Sequence, residues 1–213
     1  MTNILQQHIV RVYELLLLGL LSYTVGIFVN YYYMSVLLLL TGLFGLIGVL
    51  IHSGLQTTSF RNNQRFRYMS LIGFLTGLTS AAIFWSPYVD SSVVASALMM
   101  TFIMVSTSTI MIRHVNTTSL GLFLSSTLTT LITFGILNIF FRFGDMFQIL
   151  YSFVGVILFG LFITYDTKTM IERLQNNVFP DYLSECVSLF LDIMNVFIHF
   201  VKLLSQFKKI ANK

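Results

Sequence analysis

The stretch Val187 to Leu204 reads VSLFLDIMNVFIHFVKLL, a mostly apolar run of membrane length that nonetheless carries Asp192. A helix needs about 20 predominantly apolar residues to cross the hydrocarbon core. An Asp at the centre of such a helix costs roughly 2.5–3.5 kcal/mol on insertion scales, so a carboxylate there has a partner or a task. The preceding apolar run, Ile149 to Tyr165, ends against a second one, Asp166. The chain has only eight acidic residues and spends two of them here.

Working back from this pair, the other apolar runs are Val12 to Val29, Met34 to Ile51, Tyr68 to Trp85, Val93 to Ile112 and Leu120 to Phe141. Together they use nearly all of the 213 residues, which are 56% hydrophobic and 9% charged. Soluble domains carry about 25% charged residues. The chain therefore reads as a single polytopic membrane domain, residues 1–213. Backbone groups inside lipid must bond within their own segment, so the spans are predicted to be helices. The expected fold is all-α, with seven transmembrane helices. The first run lacks a small-residue cleavage site and is expected to remain as a span. Gly42, Gly45 and Gly48, spaced three apart, suit close helix packing.

Arg11, Arg61, Arg65, Arg67, Arg113, Lys168 and Arg173 fall in alternate loops on one side, whereas the opposite loops hold only Arg142. The positive-inside rule then puts the N-terminus in the cytoplasm. Lys202, Lys208, Lys209 and Lys213 join the crowded side if the seventh run re-enters, and the sparse side if it crosses. Both forms stay open. Scattered in this way, the basic residues are topology signals and suggest no nucleic-acid partner. A single cysteine, Cys186, excludes an internal disulfide. Neither Gly-x-Ser-x-Gly nor HExxH occurs, and no phosphate-binding glycine loop is present, so no enzymatic activity or resident cofactor is expected.

Glu185, Ser188, Asp192, Asn195, His199, Lys202 and Gln206 recur at alternating spacings of three and four, which lines them up on one helix face. Such a helix either lies flat in the interface or sits centrally, with its stripe turned to other spans or to water. Geometry favours the central placement. Asp192 is about five residues into its run, a depth of roughly 8 Å, and Asp166 enters from the same side. Two carboxylates about 4 Å apart repel by roughly 4 kcal/mol at an effective dielectric near 20. They would titrate as one coupled unit, sharing a proton when singly ionised and attracting a cation when fully ionised. Carboxylate oxygens suit calcium, and two alone give weak, transient coordination of the kind a conduction path needs. Arg61 is the candidate latch for the pair, or else simply a topology marker. Asn195 and His199 would line the stripe, His199 either as a titrating group or as a packed polar residue.

The run FGLFITYDTKTMIERL, Phe159 to Leu174, followed by DYLSECVSLFLDIMNVFIHFVKLL, Asp181 to Leu204, resembles the C-terminal signature of the Bax inhibitor (transmembrane Bax-inhibitor-motif) family. That signature places an Asp-Thr at the end of the sixth span, here Asp166 and Thr167, and a Leu-Phe-Leu-Asp in the seventh, here Leu189 to Asp192. The segments GFLTG, Gly73 to Gly77, and GILNIFF, Gly135 to Phe141, are also similar to family members. The chain is closest in character to the compact, Bax inhibitor 1-like forms. It departs from the family where Ala81 and Ala82 stand near a usual Gly-Pro, and Met100 and Thr101 near a usual Thr-Ala.

The resemblance implies seven helices with the last one central, and a pH-sensitive calcium leak governed by the dyad Asp166 and Asp192, with Arg61 as latch. It also implies suppression of cell death in eukaryotic members. Expected partners are the bilayer, calcium, protons and membrane proteins of cell-death control. The expected location is the endoplasmic reticulum or Golgi membrane for a eukaryotic or viral chain, and the plasma membrane for a bacterial one. A membrane interaction protein without transport, and a proton-coupled cation exchanger, are the competing functions.

Overall fold

A computed structural model describes residues 2–112, 116–141, 143–176 and 181–212. Arg113, Arg142 and Lys213, used above for topology, lie outside the described residues. The helices are α1 (Thr2–Tyr33), α2 (Val36–Leu55), α3 (Thr58–Asn63), α4 (Arg65–Ser80), α5 (Ser91–Met111), α6 (Thr117–Phe141), α7 (Asp145–Gln175) and α8 (Tyr182–Ala211). A 3-10 segment, Ala81–Trp85, continues α4. Among the described residues there is no strand, and seven helices are long and apolar enough to cross a membrane.

Several helices outrun the apolar stretches that signal them. The sixth apolar run ends at Tyr165, yet α7 continues to Gln175, and α8 begins at Tyr182 and ends at Ala211. A 30-residue helix is about 45 Å long, so its ends project past roughly 30 Å of hydrocarbon and carry charge there. The loop expected between the sixth and seventh runs is largely helical as a result. α3 likewise occupies a stretch that reads as loop; Thr57 caps it by accepting from the Phe60 amide.

The chain divides into two compact units, Met1–Ser86 with Met170–Phe190, and Pro87–Thr169 with Leu191–Lys213. In the first, α1 turns into α2 through Met34, whose φ of 43° is left-handed. Ser35 then caps α2 by accepting from the Leu38 amide. Buried Asn30 holds this corner, its Nδ2 donating to the Leu78 carbonyl at 2.8 Å and its Oδ1 accepting from the Ser35 amide. The Leu78 carbonyl needs a donor because α4 tightens to 3-10 just beyond it.

α1 and α4 cross with their backbones in contact. A Cβ at Gly73 would strike the Gly19 carbonyl, and one at Gly77 the Tyr23 carbonyl. This is the small-residue packing that lets membrane helices approach closely. Gly42 and Gly45 pack on Leu75 of α4, while Gly48 faces open space. The glycine row of α2 is thus only partly a packing feature.

In the second unit, α7 and α8 run antiparallel. Lys209 Nζ lies 2.6 Å from Asp145 Oδ1, His199 lies over Gly155, and Asp192 meets Asp166. Partners descend α8 as they ascend α7. α5 joins through the Ser108 hydroxyl, which donates to the Gly160 carbonyl at 3.0 Å. α6 joins where Gly121 and Gly135 lie under the hydroxyls of Tyr165 and Tyr151. Outward faces are apolar: Phe28, Leu37, Phe44, Phe102, Leu122 and Phe140 are all exposed. By contrast, none of residues 189–206 of α8 is exposed.

Candidate functional site

The facing ends of α7 and α8 fix the relative level of the two aspartates. Asp166 lies nine residues before the end of α7, and Asp192 ten residues after the start of α8. At 1.5 Å per residue these are distances of roughly 14 and 15 Å from the facing helix ends. The pair therefore sits at matched levels along the two helices. Their side chains share a hydrogen bond. Asp192 is 8% exposed and Asp166 half-buried.

Two carboxyls bond to each other only if one carries a proton, its O–H donating and the other's oxygen accepting. Removal of that proton leaves two anions in a poorly hydrated place. Asp192 Oδ2 has no hydrogen-bond partner and is buried, which leaves an acceptor for a proton or a cation. Apolar neighbours along α8, Leu189, Met194 and Val196, are buried and supply no competing donor. No group of three or more His, Cys, Asp or Glu side chains suited to a metal occurs among the described residues.

The remaining stripe residues divide. Asn195 is half-buried on α8. His199 is buried, stacked on Phe159 at 5.7 Å between ring centroids and tilted against Tyr151, with Nδ1 lacking a partner. A Cβ at residue 155 would run into this imidazole, so Gly155 makes the space that it fills. Ser188, on the same face, is exposed.

Arg61 is engaged at the junction of α2, α3 and α8. Its Nη1 donates to the carbonyls of Gln56 at 3.0 Å and Ser53 at 3.3 Å, which end α2. Its Nη2 pairs with the carboxylate of Asp181. Asp181 also accepts from the Ser184 amide and so caps α8, while Asn62 Oδ1 accepts from the Tyr182 amide. Arg61 thus ties the end of one span to the first turn of the helix that carries Asp192.

Residues 5–209 match the Bax1-I family, described as inhibitor of apoptosis-promoting Bax1. The chain belongs to the Bax inhibitor family. It is 30% identical to the Golgi anti-apoptotic protein of Vaccinia virus over 84% of this chain and 71% of that protein. It is 28% identical to Bax inhibitor 1 of Homo sapiens over 98% of this chain and 89% of the relative. Protein LIFEGUARD 3 of Arabidopsis thaliana is 28% identical over 65% of this chain and 54% of that protein.

This Bax inhibitor family chain also holds a second buried polar pair that sequence reasoning did not assemble. His8 Nε2 and Glu185 Oε2 lie 2.5 Å apart, with the two side chains 2% and 7% exposed. The Tyr182 ring packs on His8 at 4.7 Å, and Arg11 Nη1 donates to the Tyr182 hydroxyl. Glu185 was visible as a member of the α8 stripe. His8 precedes the first apolar run and gives no periodic signal, so the pairing needed the fold.

Proposed function

We propose that the chain suppresses cell death as a pH-sensitive calcium leak in a Golgi or endoplasmic reticulum membrane, gated at Asp166 and Asp192. The observation that carries the reading is the hydrogen-bonded pair of carboxyls inside membrane-length helices. With one proton shared, the pair is a tie between α7 and α8. With that proton gone, two anions about 4 Å apart repel by roughly 4 kcal/mol at an effective dielectric near 20. That is enough to separate the helices, or to draw a calcium ion between the oxygens. Two carboxylates hold calcium weakly, which suits passage more than storage.

Arg61, expected from the resemblance to latch the dyad itself, pairs instead with Asp181 at the start of α8. By pairing with Asp181 it biases the seat of α8, and α8 carries Asp192 into the bilayer. The arginines around α3 favour a cytoplasmic N-terminus. The cell-death role draws on the names of the viral and human relatives, Golgi anti-apoptotic protein and Bax inhibitor 1. Those names speak of apoptosis and not of transport, which supports a second reading in which the chain acts by binding membrane partners and the dyad is structural.

Purified chain in calcium-loaded vesicles, with no other protein present, separates the two. Flux from the parent should change with pH through a single coupled step, and the Asp192→Asn variant should show a flattened profile. Absence of flux from the folded parent would favour the interaction reading.

A further inference from the structure

Where α2 gives way to α3 and α4, the first unit contains a cavity of about 600 Å³ that the dyad does not use. Its lining is graded. His52, Gln64 and Arg67 stand at the ends of the spans, His52 three residues before the end of α2 and Arg67 in the first turn of α4. Gly45, Gly48 and Leu71 lie deeper, the glycines roughly 6–10 Å further along α2. A Cβ at Gly48 would meet nothing within 4 Å, so the groove above it is open. No acidic residue lines the cavity.

Arg67 differs from its neighbours. Arg61 is paired with Asp181, and Arg65 donates to the Asn62 carbonyl and lies over the Phe66 ring. Arg67 has no ion pair, hydrogen bond or ring contact among the described residues. His52 is held at the wall by the Tyr68 hydroxyl, 2.8 Å from Nδ1. A free guanidinium at the level of the span ends, above an apolar trough leading into the hydrocarbon, has the polarity gradient of an anionic glycerophospholipid. Basic pockets between membrane helices recognise such headgroups, and each cation near the surface contributes about 1 kcal/mol. A free phosphate would satisfy Arg67 but leave the trough empty.

We propose that this cavity is a site for one anionic phospholipid, its phosphate on Arg67 and Gln64 and its proximal acyl chain lying over Gly45 and Gly48. The test uses the full chain, delipidated in detergent and titrated with phosphatidylglycerol, phosphatidylcholine or inorganic phosphate, with bound species counted by native mass spectrometry. The parent should retain one phosphatidylglycerol, at least about fivefold more tightly than phosphatidylcholine. Arg67→Gln should lose that preference, and Arg67→Lys should keep most of it. Gly48→Leu fills open space, should fold normally, and should weaken both lipids by blocking the trough. Inorganic phosphate should not displace the lipid. The proposal is overturned if Arg67→Gln keeps the parent's preference, if Gly48→Leu binds lipid like the parent, or if phosphate alone competes for the site.

Discussion

A carboxyl pair tolerates loss of one charge more easily than loss of one hydrogen bond. Asp192→Asn can still donate to Asp166, so its thermal stability in detergent should stay within about 1 kcal/mol of the parent. Its flux should nevertheless lose the parent's pH dependence, because a single carboxylate has no partner with which to share a proton. Asp166→Asn should behave in the same way. If both variants keep the parent's pH profile, the dyad does not gate. The His8–Glu185 pair calls for a stability measurement instead. Glu185→Ala leaves a buried imidazole without its acceptor and should cost about 1–3 kcal/mol in thermal unfolding. Adding His8→Ala removes the orphan, so the double variant should lose less than the two single losses combined. Strict additivity would show that the two side chains are not coupled.

At the scale of helices, close backbone approach separates glycines that matter from glycines that merely occur. Gly77 meets the Tyr23 carbonyl across the α1–α4 crossing, whereas Gly48 faces open space. Gly77→Leu should therefore destabilise the fold by about 1–3 kcal/mol or more, through overpacking, while Gly48→Leu leaves the melting temperature near that of the parent. Equal melting of the two variants would contradict the crossing. The start of α5 carries a pH-dependent element. Asp90 caps the helix, and its carboxyl is held below the usual carboxylate range, first by Lys208 Nζ at 2.5 Å and then by the Val93 amide. A lowered acid stabilises the fold above its ordinary value, about 3.9, and loses that contribution as pH falls toward its folded value. Stability should thus fall below about pH 4, and Lys208→Ala should make that decline shallower. Identical acid profiles for parent and variant would remove Lys208 from the account. Half-exposed as it is, the pair should weaken further in salt.

On the scale of the whole molecule, seven membrane-length helices among the described residues place the two chain ends on opposite sides if each crosses once. α8 runs from Tyr182 to Ala211 without a break, about 45 Å, and a re-entrant segment would have to turn back within it. Tags appended at residue 1 and residue 213 should accordingly be protected from protease on opposite sides of sealed vesicles, the first being cytoplasmic. Protection of both tags from the same side would restore the re-entrant alternative.

The sequence by itself determined the class of fold and the rarity of its acids. Hydrophobic runs long enough for lipid leave helix as the only backbone solution, and two aspartates inside such runs demand a partner. That reasoning needs only local composition, because the bilayer sets both the length and the cost. Helix ends were less legible: α7 and α8 continue into charged sequence, where hydropathy fades but intrahelical bonding does not. Only the tertiary structure decided the partners of residues far apart in the chain. Arg61 meets Asp181 and His8 meets Glu185 because helix packing brings them together. The same packing made Gly73 and Gly77, more than the regular row Gly42, Gly45 and Gly48, the place where backbones come closest. A one-dimensional pattern records which face is small or polar; what that face meets is set by the neighbouring helix.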